Sequence, residues 1–163
     1  MREISVFRID DRLIHGQIIT VWINYAEAKT IVVADDKTVA DEFAQSLLKM
    51  ATPSAIELKI FSVEEAVTFL KMDKGKGKVL LLVRDPAAAL RMVKEGVICE
   101  KINVGNLNMK KGKSKVLGNL WVFQEDVEAV GKLYEAGVEL EVRAVPTEHS
   151  QDLLELLKKN KLV

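Results

Sequence analysis

Short runs of β-branched and aliphatic residues alternate along the chain with longer amphipathic stretches. The runs predict strands, at 4–9, 31–34, 56–61, 79–83, 102–104, 120–123 and 138–145. The amphipathic stretches predict helices, at 16–26, around 43–50, 62–70, 86–96, 125–136 and from 150 to about 161. Strands that alternate with helices are typical of a sheet covered on its faces. The pattern predicts an α/β fold with an open, mostly parallel (mixed) sheet of about seven strands and helices on both faces.

Length and charge narrow the class of protein. A chain of 163 residues fits one domain, 1–163, with a core of its own. Lys and Arg number 24 and Asp and Glu number 24, so no overall field favours binding to nucleic acid or to an anionic membrane. The longest apolar run, 79–83, is far shorter than the ~20 residues of a membrane-spanning helix. We therefore expect a cytoplasmic protein with no direct membrane span.

One cysteine, Cys99, occurs in the sequence. A single thiol excludes an internal disulfide and a multi-cysteine zinc site, and it fits a reducing compartment. Because Cys99 follows an apolar pair, we expect it to be a small core residue.

In an open α/β sheet, ligands bind beyond the carboxyl ends of the strands. Three loops of the predicted sheet lie there, at 8–17, 34–38 and 84–86. The first loop combines one imidazole, two guanidiniums and two carboxylates directly before a helix. Its sequence is Arg8-Ile9-Asp10-Asp11-Arg12-Leu13-Ile14-His15-Gly16-Gln17.

His15 is the candidate nucleophile of this loop. Histidine is neutral near physiological pH, and a phosphoryl group on its imidazole is a good leaving group. The helix start offers free N–H groups to an anion, and Gly16 and Gln17 lie where the backbone approaches it. Two other interpretations of His15 stay open, a general base and a capping or hydrogen-bonded structural histidine.

Arg8 and Arg12 supply forked donors that match the oxygens of a phosphoryl group. Either arginine could instead form a salt bridge with Asp10 or Asp11. The two interpretations are compatible, because a carboxylate that holds an arginine in place would support the site. We expect Arg12 to stabilise the phosphoryl oxygens and Arg8 to assist.

Other polar residues lie near the predicted edge. Asp35 is a helix N-cap or a wall of the site, and Asp85 is a cap. Arg84 has a surface role or a site role. The lysine-rich segment 110–115 is a mobile hairpin loop, whose functional version would be a docking patch for an acidic partner. His149 is a surface residue.

Several common catalytic motifs are absent. The chain has no phosphate-binding P-loop, no dinucleotide-binding glycine turn, no zinc-protease helix motif and no nucleophile elbow. The sequence therefore lacks the usual motifs of ATPases, dinucleotide oxidoreductases, zinc proteases and serine hydrolases. No cofactor and no metal is required by the proposed chemistry.

The stretch 7–17, with Trp22 after it, resembles the active-site segment of IIB components of the bacterial phosphoenolpyruvate-dependent sugar phosphotransferase system, mannose/fructose/sorbose class. Further matches lie at 31–36, 39–41 and 102–106, so the resemblance spans essentially the whole chain. One departure is visible, because the family often has Gly-Gly where this chain has Gly105-Asn106.

The resemblance implies a phosphocarrier enzyme. In that family the histidine that matches His15 takes phosphate from a phosphohistidine of the IIA component. It passes the phosphate to a sugar bound by the membrane components IIC and IID, so the protein would dock at the inner face of the membrane. Arginines matching Arg8 and Arg12 lie near the phosphoryl group, and Asp10 lies in the same loop.

Two other functions stay open from the residues alone. A flavodoxin-like regulatory domain could hold a small anion non-covalently with the same loop. A hydrolase or isomerase could use His15 as a general base.

Overall fold

The computed structural model describes all 163 residues, which form nine strands and seven helices. The strands are β1 (Ile4–Asp10), β2 (Ala28–Ala34), β3 (Glu57–Phe61), β4 (Lys78–Val83), β5 (Lys101–Asn106), β6 (Ser114–Leu117), β7 (Leu120–Val122), β8 (Glu139–Val142) and β9 (Gln151–Asp152). The helices are α1 (Gly16–Ala26), α2 (Asp36–Val39), α3 (Glu42–Ala51), α4 (Val63–Met72), α5 (Pro86–Lys94), α6 (Gln124–Glu135) and α7 (Leu153–Lys159).

Seven strands form one open sheet in the order β3-β2-β4-β1-β5-β8-β9. All neighbouring pairs are parallel except β8 and β9, which are antiparallel. Val79–Val83 of β4 is fully buried, as expected for a strand covered on both faces. The mixed α/β sheet predicted from the sequence is confirmed.

Helices cover both faces of the sheet. On one face, α1 and α3 pack on a core cluster that includes Trp22, Ile31 and Leu48. On the other face, α4 to α7 pack on a larger cluster that includes Leu70 and Met92. After β1 the chain continues into α1 on the first face, whereas after the adjacent β4 it continues into α5 on the second face. Loops that diverge in this way open a crevice at the carboxyl edge of the sheet.

The lysine-rich segment 110–115 is not the turn of a hairpin. It leads into β6, and β6 pairs with β7 around a turn at Gly118 and Asn119. Gly118 has a φ of 50°, a conformation that favours glycine. The hairpin forms a separate two-stranded sheet beside the carboxyl edge.

Several element boundaries differ from the sequence predictions. The helix expected around 43–50 is preceded by a separate short helix, α2, because Asp35 and Asp41 each cap a helix. The strand expected at 138–145 ends at Val142. The last helix begins at Leu153 rather than Ser150, because Gln151–Asp152 pairs with β8 before Asp152 caps the helix.

Candidate functional site

The loop between β1 and α1 folds sharply at the carboxyl edge of the sheet. The N–H of Leu13 donates to the carbonyl of Asp10 at 2.9 Å, and Leu13 has a left-handed φ of 59°. That conformation costs a non-glycine residue roughly 1–2 kcal/mol. Burial of the Leu13 and Ile14 side chains offsets this cost and holds the loop against the core.

His15 occupies the N-cap position of α1, with φ −143° and ψ 104°. Its side chain makes no capping hydrogen bond, and the residue is exposed. The interpretation of His15 as a capping histidine is therefore wrong. Gly16 and Gln17 are also exposed, and the N–H groups of the first helical turn have no acceptor within the helix. An imidazole and free backbone donors thus face solvent together.

Asp10 is the centre of the loop's hydrogen bonding and is buried. Its carboxylate accepts from the backbone N–H of Arg12 at 3.0 Å, from Arg12 Nε at 2.9 Å and from Arg12 Nη2 at 2.8 Å. These bonds raise the pKa of Arg12 above its ordinary value, although burial opposes the change. The Arg12 side chain stays 24% exposed, so the guanidinium is held in place and remains accessible.

Arg8 lies beneath this loop and is only 1% exposed. Its Nη2 donates to Asp10 at 3.0 Å, and its Nη1 donates to Asn103 Oδ1 and to the Arg143 carbonyl. Its guanidinium also lies 4.8 Å from the centre of the Trp22 ring. Burial lowers the pKa of Arg8, and Asp10 opposes that shift. Arg8 therefore holds Asp10 in place from beneath the loop, whereas the sequence predicted that Arg8 helps to stabilise the phosphoryl oxygens.

Gly105 makes room for Arg8. A Cβ added at Gly105 would overlap the Arg8 guanidinium. The guanidinium cannot easily move aside, because Asp10 and Asn103 hold it. Gly105 is thus a structural requirement of the buried arginine.

The three loops that the sequence singled out converge at this edge. Asp35 caps α2 by accepting from Thr38, as predicted, and it also binds Arg84 Nη2 at 2.7 Å. Arg84 Nη1 in turn donates to the carbonyl of Asp11 at 3.3 Å. Burial would raise the pKa of Asp35, but the hydrogen bonds from Arg84 and Thr38 outweigh it and hold the pKa below its ordinary value. Asp35 therefore fixes Arg84 beside the His15 loop.

An asparagine network at this edge was missed by the sequence reasoning. Asp11 accepts from Asn106 Nδ2 at 2.8 Å and from the backbone N–H of Asn108 at 2.6 Å. Asn119 Nδ2 donates to Asn106 Oδ1 at 2.6 Å. The only available signal was the departure at Gly105-Asn106, where Asn106 supplies an amide that glycine lacks.

Two hollows meet at Asp11 and Arg84, which line both. One has a volume of about 260 Å³ and is lined on its apolar side by residues of the loop and of α3. The other has a volume of about 170 Å³ and is lined mainly by charged side chains. A third hollow, of about 360 Å³, lies beside Trp22 and Tyr25, and none of the three is lined by His15.

The structure contains no group of three or more His, Cys, Asp or Glu side chains arranged to hold a metal ion. None of its helices is both long enough and apolar enough to cross a membrane.

Comparison with known proteins gives consistent matches over the whole chain. The sequence model of the family described as "PTS system sorbose subfamily IIB component" matches residues 4–163. The chain is 36% identical over 157 residues to the N-acetylgalactosamine-specific phosphotransferase enzyme IIB component 2 of Escherichia coli, covering 96% of this chain and 100% of that protein. It is 34% identical to the mannose-specific EIIAB component of E. coli, covering 96% of this chain and 49% of that protein. The crystal structure of the IIBSor domain of the Klebsiella pneumoniae sorbose permease superposes with a TM-score of 0.92 at 32% identity, covering 96% of this chain and 97% of that one.

Proposed function

We propose, because this chain belongs to the sorbose subfamily of phosphotransferase-system IIB components, that His15 is the residue on which it carries phosphate. The family makes the chain a phosphotransferase component of sugar transport. The observation that supports His15 is its exposed, unbonded imidazole at the start of α1. We further propose that residues 1–163 act as one IIB domain.

The donor in this proposal is a phosphohistidine of the IIA component. A relative whose name joins both components, the mannose-specific EIIAB protein, supports this partnership. The unprotonated ring nitrogen of His15 attacks the phosphorus, and the new N–P bond forms as the donor's N–P bond breaks. The other His15 nitrogen releases its proton, and the donor imidazole takes up one proton and leaves neutral. The phosphoryl group then moves to a sugar hydroxyl, which releases its proton, while the His15 imidazole takes up one proton as its N–P bond breaks.

Positive charge must offset the phosphoryl oxygens during both transfers. The Arg12 guanidinium and the N–H groups of Gly16 and Gln17 are the donors that the geometry leaves free for this role. Because Asp10 fixes Arg12 beforehand, little reorganisation is needed when the anion arrives. Arg8 contributes by bracing Asp10, and Asp35 contributes by holding Arg84. No divalent metal is required in this scheme.

The acceptor in this proposal is a sugar bound by the membrane components IIC and IID. The protein would reach it by docking, from the cytoplasm, at the inner face of the membrane. No nucleic acid takes part. The membrane components would select the sugar, so a IIB chain needs to present only the phosphoryl group.

Phosphorylation of the chain tests this function. We expect incubation with phosphoenolpyruvate, the general phosphotransfer proteins and a IIA component to place label on the chain. The bond should be labile in acid and stable in alkali. His15→Ala should abolish the label. His149→Ala is the matched control, because His149 is the other histidine and is also exposed, and it should keep full labelling.

Equal labelling of His15→Ala and the unaltered chain would contradict the assignment. Binding of phosphate without any covalent label would favour a regulatory domain that holds a small anion non-covalently. Turnover of a small substrate without a partner protein would favour a hydrolase or an isomerase.

A further inference from the structure

Lysine side chains surround the charged hollow at the carboxyl edge of the sheet. Lys37 at the start of α2 and Lys110 and Lys113 before β6 line this hollow together with Arg84. We call Lys37, Lys110 and Lys113 the lysine rim. Four basic and three acidic side chains line the hollow, so its charge is slightly positive in a chain with 24 basic and 24 acidic residues.

No carboxylate neutralises the rim by ion pairing. None of its three lysines forms a salt bridge, whereas Arg84 is paired with Asp35. The carboxylates that share the hollow already have partners. Asp11 accepts from the asparagine network, Asp85 caps α5 through the N–H of Ala88, and Asp126 accepts from the N–H of Phe123. The side chains of Lys37 and Lys110 are exposed and are therefore available to an external partner.

The rim is attached to the loop that carries His15. Lys113 Nζ donates to the Asn108 carbonyl at 2.9 Å and lies 5.1 Å from the centre of the Phe123 ring. Asn108 is bound in turn to Asp11. Asp11 and His15 are four residues apart, so their Cα atoms are at most about 14 Å apart. The rim and His15 thus lie at the same, carboxyl edge of the sheet.

We propose that the lysine rim is a docking surface for an acidic patch on the protein that donates the phosphoryl group. A typical interface covers about 800 Å² on each partner, which is wide enough to include both His15 and the rim. Unpaired cations at the margin of an interface mainly accelerate association and select the partner. This inference rests on the proposed function and adds the chemistry of the donor's surface.

The shape of the rim favours a protein over a membrane surface. Lys113 is partly recessed and fixed over an aromatic ring, and the hollow also contains carboxylates. An anionic lipid surface attracts cations that project freely and is repelled by carboxylates. A shaped protein surface can place acidic side chains against the lysines and donors against the carboxylates.

Charge reversal tests the rim. We expect the double variant Lys37→Glu/Lys110→Glu to raise the KM for the phosphorylated IIA donor about tenfold, with kcat within about twofold of the unaltered chain. The salt dependence of kcat/KM should also become weaker. The matched control is Lys74→Glu/Lys76→Glu, which reverses two exposed lysines at the opposite, amino edge of the sheet. This control should leave the KM unchanged.

The outcomes separate the rim from the proposed function. Labelling of the unaltered chain and its loss in His15→Ala must first establish the carrier. If the carrier is established and the rim variant has the same KM as the control variant, the docking proposal is wrong. It is equally wrong if the donor KM is unchanged while the rim variant alone loses binding to vesicles containing anionic phospholipid, since the rim would then face the membrane.

Discussion

The base and the tip of the His15 loop are built in opposite ways. At the base, Arg8 and Asp10 are almost fully buried and are bound to each other. At the tip, His15 is exposed and its side chain has no hydrogen-bond partner within the protein. Arg12 joins the two regions, because it binds Asp10 at one end and remains partly exposed at the other. The loop therefore holds its buried charges in fixed positions at the base and leaves the imidazole of His15 free at the tip.

This difference separates stability from reactivity. A buried ion pair is weak evidence for stability, because desolvation of both charges offsets their attraction. Arg8 and Asp10 are better explained by the position that they give to Arg12. Changes at the base should therefore act first on the fold, whereas changes toward the tip should act first on phosphoryl transfer.

The largest effect is expected from Gly105→Ala, which disrupts the base. The added Cβ would force the Arg8 guanidinium away from Asp10 and Asn103 and leave buried charge poorly paired. We expect a loss of about 3 kcal/mol in the free energy of unfolding, measured by urea denaturation. Gly131→Ala is the control, because its Cβ would meet nothing within 4 Å and alanine suits the middle of α6 better. Equal stability of the two variants would show that Arg8 is not confined as described.

A smaller effect on the fold is expected from Arg12→Gln, which acts mainly on phosphoryl transfer. The variant removes a charged donor from the loop that carries His15 but leaves Asp10 paired with Arg8. We expect phosphoryl transfer from the IIA donor to slow about 100-fold, while the free energy of unfolding falls by only about 1 kcal/mol. Rapid-quench kinetics and urea denaturation measure the two changes. A variant that is strongly unfolded but retains its transfer rate would reverse the comparison between base and tip.

The sequence predicted the parts of the fold that depend on local pattern. The apolar run 79–83 identified the central strand, and Asp85 with Pro86 identified the start of α5, which they cap and begin in the structure. The loop containing His15 was found for the same reason, because strand, polar turn and helix are adjacent in the sequence. A short strand such as Gln151–Asp152 has no such pattern, since its partner β8 alone makes it a strand.

The burial of individual side chains could not be predicted in the same way. Both tryptophans lie in apolar stretches of the sequence, yet Trp22 is 1% exposed and Trp121 is only partly buried. Arg8 and Arg12 look equivalent in the sequence, but β1 directs Arg8 under the loop toward Asn103, which lies 95 residues away along the chain. Long-range contacts of this kind decide which arginine is accessible.

The smallest effect is expected from Asp35→Asn, which tests whether the charge of Asp35 holds Arg84 in the site. Because the folded pKa of Asp35 lies below its ordinary value of 3.8, ionised Asp35 stabilises the fold above about pH 4, and this stabilisation disappears as the pH falls through the folded pKa. The asparagine keeps a capping oxygen for Thr38 but loses the charge that holds Arg84. At pH 7 the variant should be about 1 kcal/mol less stable, which lowers its Tm by a few degrees. The difference should shrink below pH 4 in a thermal melt series followed by circular dichroism, and a difference that is constant from pH 7 to pH 3 would assign the effect to the cap geometry instead.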